Sequence, residues 1–351
     1  TNDQNQSERV ADAESMARKS LDTINATLQK DQSNTTAWVT KGNIHQRLKE
    51  YDEANYAYDR ALDLEPNLAG VWLYKGNIQH IQGNLSEALL MYETGIALDA
   101  NQSLLWAYRG RALASLARYD EALSSYNHAL DLDPANAIAG VDKGDLLKAQ
   151  GQFDAAISAY SVAITTNPGN IEAAKAKADL ERSLMRFPEA LQTYDYILNL
   201  TPDDSSALSG RADTLAGLGR FEEAVTVYDN ILTSSPNNSQ AFAYRAYSLN
   251  SLGKYDEGLQ SAERALDIEP ENTVALNNKG TALHALGRSS EALDSFNESV
   301  RLNPTNAVAW TNKGYVLASM GRYEEALEAY NISLELNPRQ ASIWGYQASA
   351  L

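Results

Sequence analysis

The chain has 351 residues, 44% of them hydrophobic, and a formal net charge of −17 at pH 7. That apolar share excludes a disordered polymer, and the acidity argues against wrapping nucleic acid or docking to an anionic membrane, both of which draw affinity from Lys and Arg. Cysteine is absent, so there is no disulfide framework or thiolate chemistry, and no run approaches the roughly 20 apolar residues of a membrane span.

Residues 1–11 form a polar N-terminal arm without a signal-peptide core. Over 12–34, Leu21, Ile24 and Leu28 recur at helical spacing and predict one amphipathic helix. At Thr35 a 34-residue period begins and runs through nine units to 340 without insertion or deletion. With Thr35 as position 1, apolar residues cluster at positions 3–14 and 17–30, which predicts two helices per unit. Position 8 is always small, and position 20 is Ala in every unit but the seventh, where it is Gly258. These let paired helices approach closely, while the aromatic at position 24 (Tyr58 in the first unit, Tyr330 in the last) supplies bulk between them. Gly at position 15 in six units suits a left-handed helix end, Pro at position 32 halts the second helix in eight, and Asn or Asp at position 34 caps the next. All five tryptophans stand at position 4. In the middle units Gly140, Ala174 and Leu208 replace that aromatic, with Ile197 and Ile231 at position 27, and looser packing is expected there.

The stretch 341–351 repeats positions 1–11, placing Ile343, Trp344, Ala348 and Leu351 at positions 3, 4, 8 and 11. It is a first helix without its second, as 12–34 is a second helix without its first, and together they make one unit. Joined between copies, the half-repeats give a heterologous, head-to-tail contact that closes into a ring or continues as a filament. The self-assembly candidates are therefore Leu21, Ile24, Leu28, Ile343, Trp344, Ala348 and Leu351. The alternative is a boundary inside a longer repeat protein.

Trp, Gly, Ala, aromatic, Ala and Pro at these positions, as in AWVTKGNIHQRLKEYDEANYAYDRALDLEP, closely resemble the tetratricopeptide repeat (TPR). The resemblance implies an all-α, right-handed superhelical solenoid of nine full repeats plus a half-repeat at each end, its first helices lining a concave groove. Lys or Arg at position 7 in every unit makes a "KG" pair, similar to archaeal and bacterial members. These cations are expected to lay their stems on apolar surface and reach carboxylates such as the glutamates at position 19, rather than to form a basic track. Acidic-tail binders of the family use Lys at positions 2 and 5 with Asn at 6 and 9. Here position 5 is Val39, Leu73, Ala107 and Val141 before Lys175, and Asp179 replaces the needed Asn, so that clamp is absent.

The four histidines are scattered, and no nucleotide-binding, nucleophile-elbow, zinc or calcium motif occurs. A non-catalytic scaffold without cofactor or metal is expected. Groove positions 6 and 9 offer Tyr74, Tyr108, Tyr244, Tyr247 and Tyr315 with Asn43, Asn77, Asn278 and Asn312, side chains suited to peptide or sugar recognition. The N-x-[ST] acceptor pattern falls on Asn5, Asn25, Asn34, Asn84, Asn101, Asn199, Asn237, Asn297 and Asn331, roughly twice as often as composition alone would give. None of these lies in a first helix of the nine units. N-linked glycans there would make the chain extracellular or cell-surface, a glycoprotein resembling in architecture the TPR-like extracellular fibres of some prokaryotes. The alternative is a cytoplasmic adaptor that binds a partner peptide in its groove.

Overall fold

The structure, a computed structural model, describes the backbone of residues 2–338 and the side chains of residues 12–338. Ile343, Trp344, Ala348 and Leu351 therefore lie outside the described residues. Among the described residues there are 19 α-helices and no strand, as the two-helix period requires. They fall into two compact units, 1–177 and 178–351.

The first unit opens with α1 (Asn2–Lys30), followed by the pairs α2 and α3 (Thr35–Arg47, Tyr51–Leu64), α4 and α5 (Ala69–Ile81, Leu85–Leu98), α6 and α7 (Ser103–Ser115, Tyr119–Leu132), and α8 and α9 (Ala137–Ala149, Phe153–Thr166). Helix α10 (Ile171–Ser183) crosses the division at 177. The second unit continues with α11 (Phe187–Leu200), α12 and α13 (Ser205–Gly217, Phe221–Ser234), α14 and α15 (Ser239–Ser251, Tyr255–Ile268), α16 and α17 (Thr273–Ala285, Ser289–Leu302), and α18 and α19 (Ala307–Ser319, Tyr323–Leu336). Within each unit the first helices pack on their own second helices and on the first helices of adjoining repeats. The expected polar arm is instead the beginning of α1, because neither Gly nor Pro interrupts residues 2–30. At the other end of α1, Leu28 is buried and Ile24 packs with it against Ala37, Trp38, Ala57 and Ala61.

The local signals act as their chemistry dictates. Asn34, Asn136, Asn170, Asp204, Asn238, Asn272 and Asn306 each accept the backbone N–H three residues on, capping the following first helix. At position 15 all nine repeats take the left-handed conformation. Six use glycine; Lys49, Ala117 and Met185 adopt it at φ 58–61°. Beyond that residue a backbone N–H reaches back to the carbonyl five residues earlier, as Arg118 does to Leu113 at 2.9 Å, which closes a Schellman turn.

The helix pair is held by a ring on a glycine. The position-24 aromatics Tyr58, Tyr92, Tyr126 and Tyr160, and in the second unit Tyr194, Tyr228, Phe296 and Tyr330, are at most 2% exposed. Gly42, Gly76, Gly110 and Gly144, and in the second unit Gly280 and Gly314, leave the space those rings occupy: a Cβ added at Gly110 would stand 2.6 Å from the Tyr126 ring.

The basic ladder pairs differently from expectation. Arg109 reaches Glu93 at 3.0 Å and Lys75 pairs with Asp59; in the second unit Arg211, Arg245 and Lys279 reach Asp195, Asp229 and Glu263. The partner is position 25 of the preceding repeat, so the cation joins successive repeats. The position-19 glutamates Glu121, Glu223, Glu291 and Glu325 pair with their own Arg118, Arg220, Arg288 and Arg322, one helical turn away. The expected loosening at Leu208 is also absent, because Ile231 (2% exposed) fills the space with it. At Gly140 only the small Ala163 lies close, and a crevice stays open beside it.

Replacing Gly110 by Ala is expected to destabilise the first unit by about 1–3 kcal/mol through overpacking against Tyr126. Replacing Ala117 by Gly is expected to stabilise it by about 0.5–1 kcal/mol by relieving the left-handed residue. Urea unfolding of the two variants checks both signs.

Candidate functional site

The first helices carry positions 2, 5, 6 and 9 on one face, and in the second unit those positions converge on a cleft of about 520 Å³. Its floor and walls come from the C-terminal turn of α10 and from α12, α14, α16 and α18, with Arg182, Asp213, Tyr244, Tyr247, Asn277 and Val308 as the principal groups. Tyr244 and Tyr247 stand three residues apart on α14, one turn, so both face the cleft. Tyr247 is 45% exposed, and its ring meets Phe221 edge-on at 6.0 Å. Val308 is 54% exposed at the far side.

Asp213 is the charged centre. It accepts the Tyr228 phenol at 2.7 Å and Arg182 Nη1 at 3.3 Å. Arg182 also donates to the Tyr194 hydroxyl at 3.2 Å and stands 3.7 Å from Asp179. Burial pushes the Asp213 carboxyl above the usual aspartate range, with the Tyr228 hydrogen bond and Arg182 opposing. Asn277 accepts from Asn312 at 3.1 Å. The ensemble offers a rigid aromatic pair, an ion pair and an amide, which suit polar recognition. Among the described residues no group of three or more His, Asp or Glu is placed to hold a metal ion, and no helix is long and apolar enough to cross a membrane.

Of the groove residues expected from sequence, Tyr244, Tyr247 and Asn278 come together here, but Asn278 is buried and donates to the Ala243 carbonyl at 3.0 Å. Asn312 and Tyr315 line a second cleft of about 520 Å³ with His284, whose ring meets Tyr315 edge-on at 5.3 Å and whose pKa burial pushes down. In the first unit Tyr74 stacks on Tyr58 at 5.7 Å and Tyr108 tilts onto Tyr92 at 5.9 Å. Arg111 lies over Tyr108 and forms a bidentate pair with Asp142 at 2.8 and 3.0 Å. Asn43 and Asn77 each accept the hydroxyl of their repeat's core tyrosine, Tyr58 and Tyr92, at 2.8 Å. Their amide carbonyls serve the fold, as the position-9 carboxylates Asp145, Asp179 and Asp213 do for Tyr160, Tyr194 and Tyr228. Arg182, Asp213, Asn277 and Val308 did not emerge from a search for aromatics and amides at positions 6 and 9. Reading positions 2, 5 and 9 for charge and bulk finds the last three.

Of the acceptor asparagines, Asn84, Asn101, Asn199, Asn237, Asn297 and Asn331 are exposed, whereas Asn25 and Asn34 are half-buried. Asn34 caps α2, and Asn84 donates to Gln79 at 2.9 Å. The Asn5 side chain lies outside the described residues. Leu21, like Ile24, is half-buried on α1, and Leu28 is buried.

Tyr228→Phe removes a partner of Asp213 and is expected to cost about 1–2 kcal/mol at neutral pH. With its folded pKa raised, the stability Asp213 contributes is full below its unfolded value and is lost as pH rises through the folded one. The deficit of Tyr228→Phe, whose hydroxyl opposes that rise, is therefore larger at pH 7 than at pH 3.5, as paired urea titrations would read.

Models of the tetratricopeptide repeat match residues 35–68, 82–137, 113–180, 175–239, 209–273, 245–307 and 307–340. No curated protein matches the chain. Among solved structures it is similar to a tetratricopeptide repeat protein from Parabacteroides merdae, at 18% identity and TM-score 0.49 over 71% of this chain and 98% of that one. It is similar also to a thermophilic TPR protein in Thermus thermophilus, at 21% identity and TM-score 0.47 over 51% and 98% of the two chains. With repeat after repeat of helix pairs matched along most of its length, the chain belongs to the tetratricopeptide repeat family.

Proposed function

We infer that the chain is a non-catalytic scaffold that holds a segment of a partner protein against the first-helix face of its second unit. The observation that supports this is the pair Tyr244 and Tyr247, fixed one turn apart beside the Arg182–Asp213 ion pair and Asn277. Tyrosines on a rigid helix supply contact area at little entropic cost, amides match peptide backbone, and an ion pair selects against unmatched charge. Peptides selected from a displayed library against the full chain are expected to bind at least about tenfold more weakly to Tyr244→Ala/Tyr247→Ala, a hot-spot loss, and equally to Tyr74→Ala. Selected peptides indifferent to the double variant would reject this groove.

Head-to-tail self-association is a second reading, favoured by the face of α1. Ser20 is exposed and Ile24 half-buried, while their counterparts in the first full repeat, Ala54 and Tyr58, are 0% exposed beneath their first helix. The segment 341–351 has the sequence of a first helix and, supplied by another copy, would cover that face and string copies into a filament. Sedimentation velocity is expected to show mass growing with concentration, and to return a single small species for Trp344→Ala or Ser20→Arg. A monomer at every concentration defeats this reading. The exposed acceptor asparagines accord with an extracellular or cell-surface glycoprotein; the intact mass of the native chain checks this, and a bare polypeptide mass counts against it.

A further inference from the structure

We propose that the crevice above Gly140 is a binding slot for an aromatic side chain, an indole above all, presented by a partner polypeptide. In the first three repeats position 4 is tryptophan, and its surroundings recur. The ring lies against positions 22 and 26 of its own second helix: Trp38 against Tyr56 and Arg60, Trp106 against His128 at 4.2 Å. The position-7 cation sits over its face, Lys41 at 5.4 Å, Lys75 at 5.5 Å and Arg109 at 5.8 Å. The indole N–H of Trp38 and Trp106 donates at 2.9 Å to a carbonyl six residues earlier.

The fourth repeat keeps this setting and lacks the ring. Ser158 and Val162 at positions 22 and 26, Lys143 at position 7, and Leu123 and Leu130 of α7 line a crevice of about 420 Å³ at Gly140, within the roughly 300–1,000 Å³ of small-ligand pockets. Three of these, Lys143, Ser158 and Val162, occupy the positions that meet an indole in the first or third repeat. Position 27 is Ala163, which lies close enough to Gly140 that an added Cβ would stand 2.8 Å from its own, but it fills no more than the place of that Cβ and leaves the crevice beside it open, whereas Leu208 in the second unit is matched by Ile231.

Charge supplies an independent observation. Lys75 and Arg109 are each paired with a carboxylate at position 25 of the preceding repeat. For Lys143 that position is Asn127, also on the crevice wall, and Lys143 has no ion-pair partner among the described residues. An unpaired ammonium beside an empty apolar slot favours an aromatic face over an aliphatic side chain, and the Asn127 amide stands ready for the backbone that carries the ring. The slot is walled by α7 and α9 with α8 beneath, so it is separate from the first-helix groove.

Saturation-transfer NMR on the full chain tests this with N-acetyl-tryptophan amide, using N-acetyl-leucine amide as comparison. The tryptophan probe is expected to receive saturation and the leucine probe several-fold less. Ala163→Ile, which fills the slot as Ile231 fills its own, is expected to abolish the transfer while unfolding at an equal or higher urea concentration than the parent chain. Lys143→Met, which leaves the slot open, is expected to weaken the tryptophan probe roughly two- to fivefold and spare the leucine probe. The proposal is overturned by no transfer to the parent chain at millimolar probe, by equal transfer to both probes, or by loss in Tyr247→Ala with retention in Ala163→Ile.

Discussion

In six of the nine repeats the fold turns on one contact, the position-24 ring lying on the position-8 glycine between paired helices. It sets the interhelical approach and buries a large aromatic side chain, and a methyl added to that glycine would press on the ring. The ring also fixes chemistry elsewhere. A buried phenol must place its hydroxyl, and in five of the repeats position 9 of the first helix receives it, as Asn43, Asn77, Asp145, Asp179 or Asp213. Position 9 is therefore core partner and groove residue at once. Asp213 shows the outcome: the carboxylate at the centre of the candidate cleft is held by Tyr228 on one side and Arg182 on the other.

Where the core contact is altered, the groove is altered too. In the seventh repeat position 24 is Ala262, no phenol needs an acceptor, and position 9 becomes Tyr247, free to extend from the first-helix face. The buried Asn250 amide lies against Gly258 and donates to the Asn278 carbonyl at 2.9 Å. At Gly140 position 4 carries no ring, and a crevice lies beside it.

Electrostatics plays the part of stitching. An acidic chain spends its position-7 cations between successive repeats and its position-16 arginines at the start of the second helix. In five of the nine repeats position 25 of the preceding repeat is a carboxylate that the cation reaches; before Lys41, Lys143, Lys177 and Lys313 it is the uncharged Asn25, Asn127, Ser161 or Asn297.

The sequence by itself determined the period, the helix pairs, most of the caps at position 34 and most of the left-handed residues at position 15, because each is a local preference repeated along the array. It also put Tyr244 and Tyr247 on the cleft, since helical spacing fixes a face. Only the tertiary structure decided which polar groups on that face are consumed within the fold. Asn43, Asn77 and Asn278 read as groove residues, yet their partners, a phenol fifteen residues on or a carbonyl in the preceding repeat, come from another helix. The same holds for the position-7 cations, which choose position 25 over position 19, and for Gly140, whose missing ring leaves a crevice while that of Leu208 does not. Periodicity assigns a residue its bearing on its own helix; the distance and rotation of the neighbouring helix, which decide what it meets, arise only when the pairs are packed.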